Sequence, residues 1–530
     1  MAWLDDELTR RQIVRGGLAG GLALGAGGVL AACGGADDGG GTATQGEQPA
    51  AQLRRGGTLR VGATGGGPDD TLDAHQPTSD PDIMRCWQLY EPLAVRNREF
   101  TELEMVLAES IEAERRADRW IVRLKQGLEF HNGKTVTADD VIFSLRRITD
   151  PKNPTAGTGS IGYIDRGGLK KLDERTVRIP LEFANSTFPE DLGQYFNGIV
   201  PTDYDPKQPV GTGPFRYGNL TPGEQSTFPR HPNYWRRGEP LADEVVIIDF
   251  TDATAKVNAL LGGQVQVINN LPYSQLANIQ GNQQLRAVVY ETGSWQPFTM
   301  RVDAAPFNDN RVRQAFRLIV DREQMVQQAL SGQGRTANDL YAPYDPCYAK
   351  ELPQRQQDLE QAKSLLRQAG QSDLRVDLNT GDIFRGVLEA AQVFAEQAKG
   401  AGVTVRVKKL ENFYGDNYLK YPFAQDFWST RTYLTQVGQG SLPTSPFNET
   451  HWNDERYLQL IRQARGTLDE AKRCEILKEA QRIEYEQGGH IIPYFSNAVD
   501  AHSTQVGGVM PARSGFTLGN YGLRGIGFTA

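Results

Sequence analysis

Two glycine-rich stretches are the first places in this sequence where residue type and spacing could do chemistry. Gly127 to Thr135 ends in Gly133-Lys134-Thr135, the lysine and hydroxyl that a phosphate loop uses. Five residues rather than four separate Gly127 from Gly133, so the loop is a near miss. Gly157-Thr158-Gly159-Ser160-Ile161-Gly162 fits the dinucleotide pattern by letters, but no clear strand leads into it and no clear helix leaves it. There is no Gly-x-Ser-x-Gly nucleophile elbow and no His-Glu-x-x-His, and the six histidines are dispersed. Beyond Cys33, the cysteines Cys86, Cys347 and Cys474 are scattered and odd in number, which gives neither a zinc spacing nor a disulfide framework. One bridge and three inert thiols are both compatible with that pattern. With 65 acidic residues, a glycosidase-like carboxylate pair stays open, because its partners need only lie about 5 to 10 Å apart in space.

The elements that must position any site begin after an unusual N-terminus. Thr9-Arg10-Arg11-Gln12-Ile13-Val14-Arg15 precedes a mildly apolar run, Gly16 to Ala32, which closes on Leu30-Ala31-Ala32-Cys33. Charged region, apolar region and small-residue cleavage site follow in the order of a targeting segment. The run is too short and too rich in glycine for the ~20 apolar residues of a spanning helix. The arginine pair resembles the twin-arginine export signal, and Leu-Ala-Ala-Cys resembles the bacterial lipobox. Residues 1–33 are therefore expected to be a lipoprotein signal ending at a lipidated Cys33, whose acyl chains anchor the protein to a membrane. Residues 34–54 read as a flexible linker, with almost nothing able to offset chain entropy by burial.

The remaining chain is too long for one core. Its 23% charged and 39% hydrophobic residues are ordinary for a globular protein. A net charge of −8 and the lack of a basic block with aromatics argue against nucleic acid as a partner. β-Branched runs at Thr58 to Gly62, Arg119 to Leu124, Thr176 to Leu181, Glu244 to Phe250 and Leu285 to Tyr290 read as strands. Thr137 to Asp140 forms a capping box ahead of a helix. Asn310 to Leu330 repeats apolar residues on one face and reads as one helix stopped by Gly332. Asp358 heads another helix, and Thr467-Leu468-Asp469-Glu470 reads as a second box opening a helix that ends at Gly488-Gly489. The fold class is α/β, in two lobes.

At this point the residues become recognisable. Gly56-Gly57-Thr58-Leu59-Arg60-Val61-Gly62, Leu107-Ala108-Glu109-Ser110, the run from Leu124 through Phe130-His131-Asn132-Gly133 to Val141, Gly211-Thr212-Gly213-Pro214-Phe215, Asn233-Tyr234-Trp235, Arg311-Val312-Arg313-Gln314-Ala315 and Ala362-Lys363 to Gly370 stand in one order. Together they resemble the peptide, nickel and oligosaccharide-binding family of importer receptors. The resemblance implies a periplasmic-binding-protein-like fold with a hinge and an interlobe cleft. Lobe I would be 55–297 plus 493–530, with an inserted subdomain at about 93–207, and lobe II 298–492. It also implies a monomer without cofactor or metal that passes a solute to an ABC permease and its ATPase at the outer face of the membrane. A secreted hydrolase and a ligand-sensing lipoprotein without a transport role remain as alternatives.

Most of these motifs read as scaffold. His131 belongs to a strand end and turn, and Arg311 and Arg313 are expected to be solvated. Peptide-binding members of the family carry an aspartate three residues after a tryptophan, where it pairs with the peptide amino group. This sequence has Trp428-Ser429-Thr430-Arg431. The reversed charge implies an anionic group on the ligand, held by the guanidinium in a two-pronged bond. Phe427, Trp428 and Tyr433, with Trp452 beyond, would supply apolar walls. Gly66 after the first strand, Trp295 at the crossover between lobes, and Arg385 complete the candidate ligand-binding set.

Overall fold

The structure is a computed structural model and describes residues 53–530 apart from Arg115. The expected signal segment, Cys33 and most of the linker lie outside the described residues. Leu53–Arg54, assigned to the linker from sequence, instead form a strand paired antiparallel with Gly527–Thr529.

Two large sheets organise the chain. The first has eight strands, in the order Leu285–Trp295, Tyr494–Ser503, Val267–Ile268, Thr58–Thr64, Glu244–Phe250, Gln225–Pro229 and Asn219–Thr221, with Gly334–Thr336 also paired to Tyr494–Ser503. Its centre is parallel: Thr58–Thr64 runs alongside both Glu244–Phe250 and Val267–Ile268. The alternation in Thr58–Thr64 explains the placement, with Leu59 and Val61 fully buried and Arg60 exposed. A four-stranded antiparallel sheet, Ala108–Ala113, Arg119–Leu124, Thr176–Pro180 and Lys170–Asp173, has its own core around Trp120, Val122 and Leu145.

The second large sheet has five strands, in the order Thr404–Lys409, Arg375–Thr380, Phe423–Gln425, Phe298–Met300 and His490–Ile491. Its core gathers Phe298, Phe307, Phe316, Phe394 and Phe423. The chain passes between the two large sheets at Gln296-Pro297 and Ile492-Pro493, with Gly334–Thr336 between them also joining the first sheet. Among the described residues no helix is long and apolar enough to cross a membrane.

Several local expectations are corrected. The single helix expected over Asn310 to Leu330 is two, Asn310–Ile319 and Arg322–Leu330. Asp321 breaks the run because its side chain accepts from Gln324 N and caps the second helix. The helix Glu470–Gln487 is capped by Asp469, which accepts from Lys472 N, not by Thr467. Thr158–Ile161, inside the glycine-rich stretch Gly157 to Gly162, is a one-turn helix. Arg313, expected in solvent, is 6% exposed and donates to three carbonyls, Phe307 O at 2.6 Å, Gln487 O at 2.7 Å and Gly488 O at 3.3 Å. The helix turns it inward because those carbonyls need donors that only tertiary contact can supply. Arg311 is exposed and pairs with Asp309 at 2.6 Å. Cys347 and Cys474 form a disulfide, and Cys86 is a buried free thiol.

Candidate functional site

The site is anchored by a short irregular segment, 428–432. Trp295 and Trp428 exchange backbone hydrogen bonds of 3.0 and 2.9 Å. Thr430 follows, accepting from Gly293 N at 2.8 Å and donating its hydroxyl to Arg513 O at 2.6 Å. The end of the long strand of the first sheet and the C-terminal loop thus fix the backbone immediately before Arg431.

Behind Arg431 lies a stack of rings. Its guanidinium carbon is 5.4 Å from the Trp428 ring centre, within cation–π range. Trp428 stacks on Trp295 at 6.0 Å, Trp295 on Tyr341 at 5.2 Å, and Tyr341 on Tyr433 at 5.1 Å. Trp428, Trp295 and Tyr433 are respectively 3%, 1% and 0% exposed. The polar ends of Trp428 and Tyr433 are engaged: Trp428 Nε1 donates to Glu449 at 3.1 Å and the Tyr433 hydroxyl to Glu484 at 2.6 Å. These three residues support Arg431 from behind and do not line the cavity in front of it.

That cavity lies where the two lobes meet. Its wall includes Trp87, Arg96, Glu190, Tyr195, Arg431 and Phe516, with Thr430, Thr432, Thr435, Gln194, Ser514 and Asn520 supplying neutral polar groups. Beside it Thr432 and Thr435 of one lobe reach Glu190 and Asp191 of the other, so the lobes touch at this wall.

Closure is held by a clasp. Glu190 sits in the short helix Phe188–Asp191 and pairs with Arg96 from strand Ala94–Arg96. Its other oxygen accepts from Thr432, the residue before helix Tyr433–Gly440, and one turn on Thr435 donates to Asp191 at 2.8 Å. Burial pushes the Glu190 and Asp191 carboxyls upward, opposed by Arg96 and the Thr432 hydroxyl at Glu190 and by the Tyr163 and Thr435 hydroxyls at Asp191. Behind the clasp, Asp345 accepts from Tyr433 N and Cys347 N, both at 2.7 Å, and its carboxyl is also pushed up by burial.

The C-terminal wall depends on an unusual backbone. Leu518, Gly519, Asn520 and Tyr521 all have positive φ, a left-handed turn that L-residues adopt at a cost of about 1–2 kcal/mol each. Asp500 accepts from Leu518 N at 2.6 Å, and Asp80 accepts from the Tyr521 hydroxyl. These buried partners hold Asn520 against the cavity.

The other candidates stand elsewhere. Phe427 stacks on Phe384 at 4.8 Å. Arg385 lies in the loop before helix Val387–Lys399, over Phe384 at 4.6 Å, and donates to Asn270 at 2.7 Å and Tyr273 at 3.2 Å. It therefore bridges the lobes at a distance from the Arg431 cavity wall. Gly66 packs where a Cβ would come within 2.4 Å of Asp249, so that position requires glycine on packing grounds. Trp452 lines a separate open groove of about 690 Å³ with Asp303, His451 and Asp454. His131 accepts from Gly211 N at 3.2 Å through Nδ1 and contacts Gly213 O at 3.1 Å through Nε2. Burial lowers its pKa to about 3, which keeps it a neutral structural group.

The model of bacterial extracellular solute-binding proteins, family 5 (middle), matches residues 102–458, well over half of the chain. The chain belongs to this solute-binding family. One relative is di/tripeptide-binding protein 2 of Pseudomonas aeruginosa (strain UCBPP-PA14), 26% identical over 443 residues, covering 75% of this chain and 82% of that protein. Another, heme-binding protein A of Haemophilus influenzae, is 25% identical and covers 82% and 85%. Among solved structures, the binding protein AgaA of A. tumefaciens R10, in complex with agropinic acid, superposes with a TM-score of 0.76. It is 24% identical and covers 89% of this chain and 99% of that one. Family members are extracellular binding proteins rather than enzymes, and the two-lobed fold is theirs. The relatives' ligands differ widely, so membership leaves the ligand to be argued from the cavity.

Proposed function

We propose that this protein is the receptor of an ABC importer, held at the outer face of a membrane by a lipid on Cys33. It captures a small peptide or peptide-like solute bearing an anionic group between its lobes. The observation that carries this reading is Arg431 in the wall of the interlobe cavity, backed by Trp428. A guanidinium on an aromatic face binds a carboxylate or phosphate in a two-pronged bond that an uncharged competitor cannot form. The solute enters when the lobes part, and contacts to both lobes favour closure, the form a permease reads. The clasp of Thr432 and Thr435 on Glu190 and Asp191 supports the same mechanism, because it joins the lobes at the cavity wall.

The test is a thermal-shift screen of wild type and Arg431→Ala against peptides, acidic amino-acid conjugates, sugars and nickel. A ligand at a hundredfold over its Kd adds about 2.7 kcal/mol of apparent stability. An anionic compound that raises the melting temperature of wild type but not of the variant is the expected result. Shifts only with sugars or neutral peptides, equal in both proteins, would remove Arg431 from the site. Metabolic labelling with a fatty acid, lost in Cys33→Ala, tests the anchor.

A further inference from the structure

We infer that the cavity selects solutes that lack a free ammonium group: acids whose nitrogen is acylated, or that carry none. This rests on the reading of the Arg431 cavity as the solute site and names its ligand class more closely.

The argument is a balance of charge and hydrogen-bonding capacity around the wall. Among the described wall residues the charged groups are Arg96, Glu190 and Arg431. Glu190 is the single carboxylate there, and both of its oxygens are engaged, one by Arg96 and the other by the Thr432 hydroxyl. The acids next behind the wall are engaged as well. Asp191 accepts from Thr435 through one oxygen and from Tyr163 and Asn185 through the other. Asp345 accepts from Cys347 N and Tyr433 N, one on each oxygen. An incoming ammonium would have to displace one of these bonds and would face the guanidinium groups of Arg96 and Arg431 in the same wall.

The groups left over point the same way. Trp87 Nε1 and Arg96 Nε are buried without a hydrogen-bond partner, whereas no oxygen of the wall side chains is in that state among the described residues. Buried donors left unmade are costly, so a shift of the wall that opens Trp87 Nε1 or Arg96 Nε to the cavity favours a ligand that brings acceptors. An acyl carbonyl next to a carboxylate supplies them, and an α-ammonium supplies only more donors. Trp87, Phe100, Tyr195 and Phe516 offer apolar faces for the remainder.

Isothermal titration of the full-length protein with Ala-Phe, N-acetyl-Ala-Phe and N-acetyl-Ala-Phe amide tests this. The expected order is N-acetyl-Ala-Phe at least tenfold tighter than Ala-Phe, with no binding of the amide. In Gln194→Glu, which adds a carboxylate to the wall, the tenfold preference shrinks. An unchanged preference in that variant would mean that wall charge does not set selectivity, and would overturn the inference. Ala-Phe binding as tightly as its acetylated form, and losing affinity in Arg431→Ala, would also overturn it while leaving the solute site in place. No binding of any of the three, with sugars or nickel shifting wild type and Arg431→Ala equally, would overturn both.

Discussion

Removing the Cys347–Cys474 bridge should cost the second lobe much of its stability and loosen the site from behind. The bridge closes a loop with a sequence separation of 127 residues. Chain entropy in the unfolded state then gives about 5 kcal/mol for the crosslink. For a unit of 150–250 residues, about 2–4 °C accompanies each kcal/mol, so the double variant Cys347→Ala, Cys474→Ala should melt roughly 10–20 °C lower in that lobe. The functional consequence runs through Asp345, which receives Cys347 N on one oxygen and Tyr433 N on the other. Tyr433 begins the helix whose preceding residue, Thr432, clasps Glu190. Calorimetry without reductant, with alkylation and mass mapping of the denatured protein, makes the assay. Mapping should label Cys86 and leave Cys347 and Cys474 unlabelled until reductant is added. Labelling of all three before reduction, or a melting change under about 4 °C, would refute the reasoning.

Other perturbations have equally definite outcomes. Arg313→Met strands the carbonyls of Phe307 and Gln487, while Gly488 O keeps its bond from Arg317, and at about 1–3 kcal/mol for each unsatisfied group urea denaturation should show stability lower by at least about 2 kcal/mol. Thr432→Val and Thr435→Val each remove a hydroxyl bond to a buried carboxylate, worth about 1.5–3 kcal/mol, so each should weaken solute affinity roughly tenfold or more and enlarge the scattering radius of the unliganded protein. His490 is buried and its pKa is lowered to about 4 from 6.5, by burial first and then by Arg317 against the pull of Glu484. The unfolded chain protonates it near 6.5 and the folded protein only near 4, so its contribution is complete above pH 6.5 and is lost as pH falls towards 4. That loss is on the order of 3 kcal/mol, and His490→Gln should flatten the urea midpoint between pH 7 and pH 4.

Local patterning carried much of the fold. Arg119–Leu124 and Glu244–Phe250 occupy the limits their β-branched runs suggest, because alternation along a strand is a property of the segment itself. The break at Asp321 was also visible in principle, since an aspartate three residues before a free backbone N–H is a capping signal. Arg313 was not legible: its partners lie at 307, 487 and 488, and an amphipathic pattern does not tell an arginine in water from one feeding buried carbonyls. The site divides in the same way. Trp428 and Arg431 stand within one short segment, and so were found together. Trp87 with Arg96, Glu190, and Asn520 come from three distant stretches, and no local feature of Phe188–Asp191 announces that its acids will meet Thr432 and Thr435.

The ring stack behind Arg431 gives the protein an optical signature of its own. Trp428 and Trp295 lie 6.0 Å apart with their planes 16° from parallel, close enough for their near-ultraviolet transitions to couple. One ring ends the strand that leaves the first lobe, and the other begins the segment that carries Arg431. Trp87 adds a third indole in the cavity wall itself. Of the seven tryptophans in the chain, three therefore stand at or directly behind the place where the lobes meet. Lobe motion can be followed in the ellipticity and emission of the unlabelled protein, with Trp87→Phe and Trp295→Phe separating the wall signal from that of the crossing.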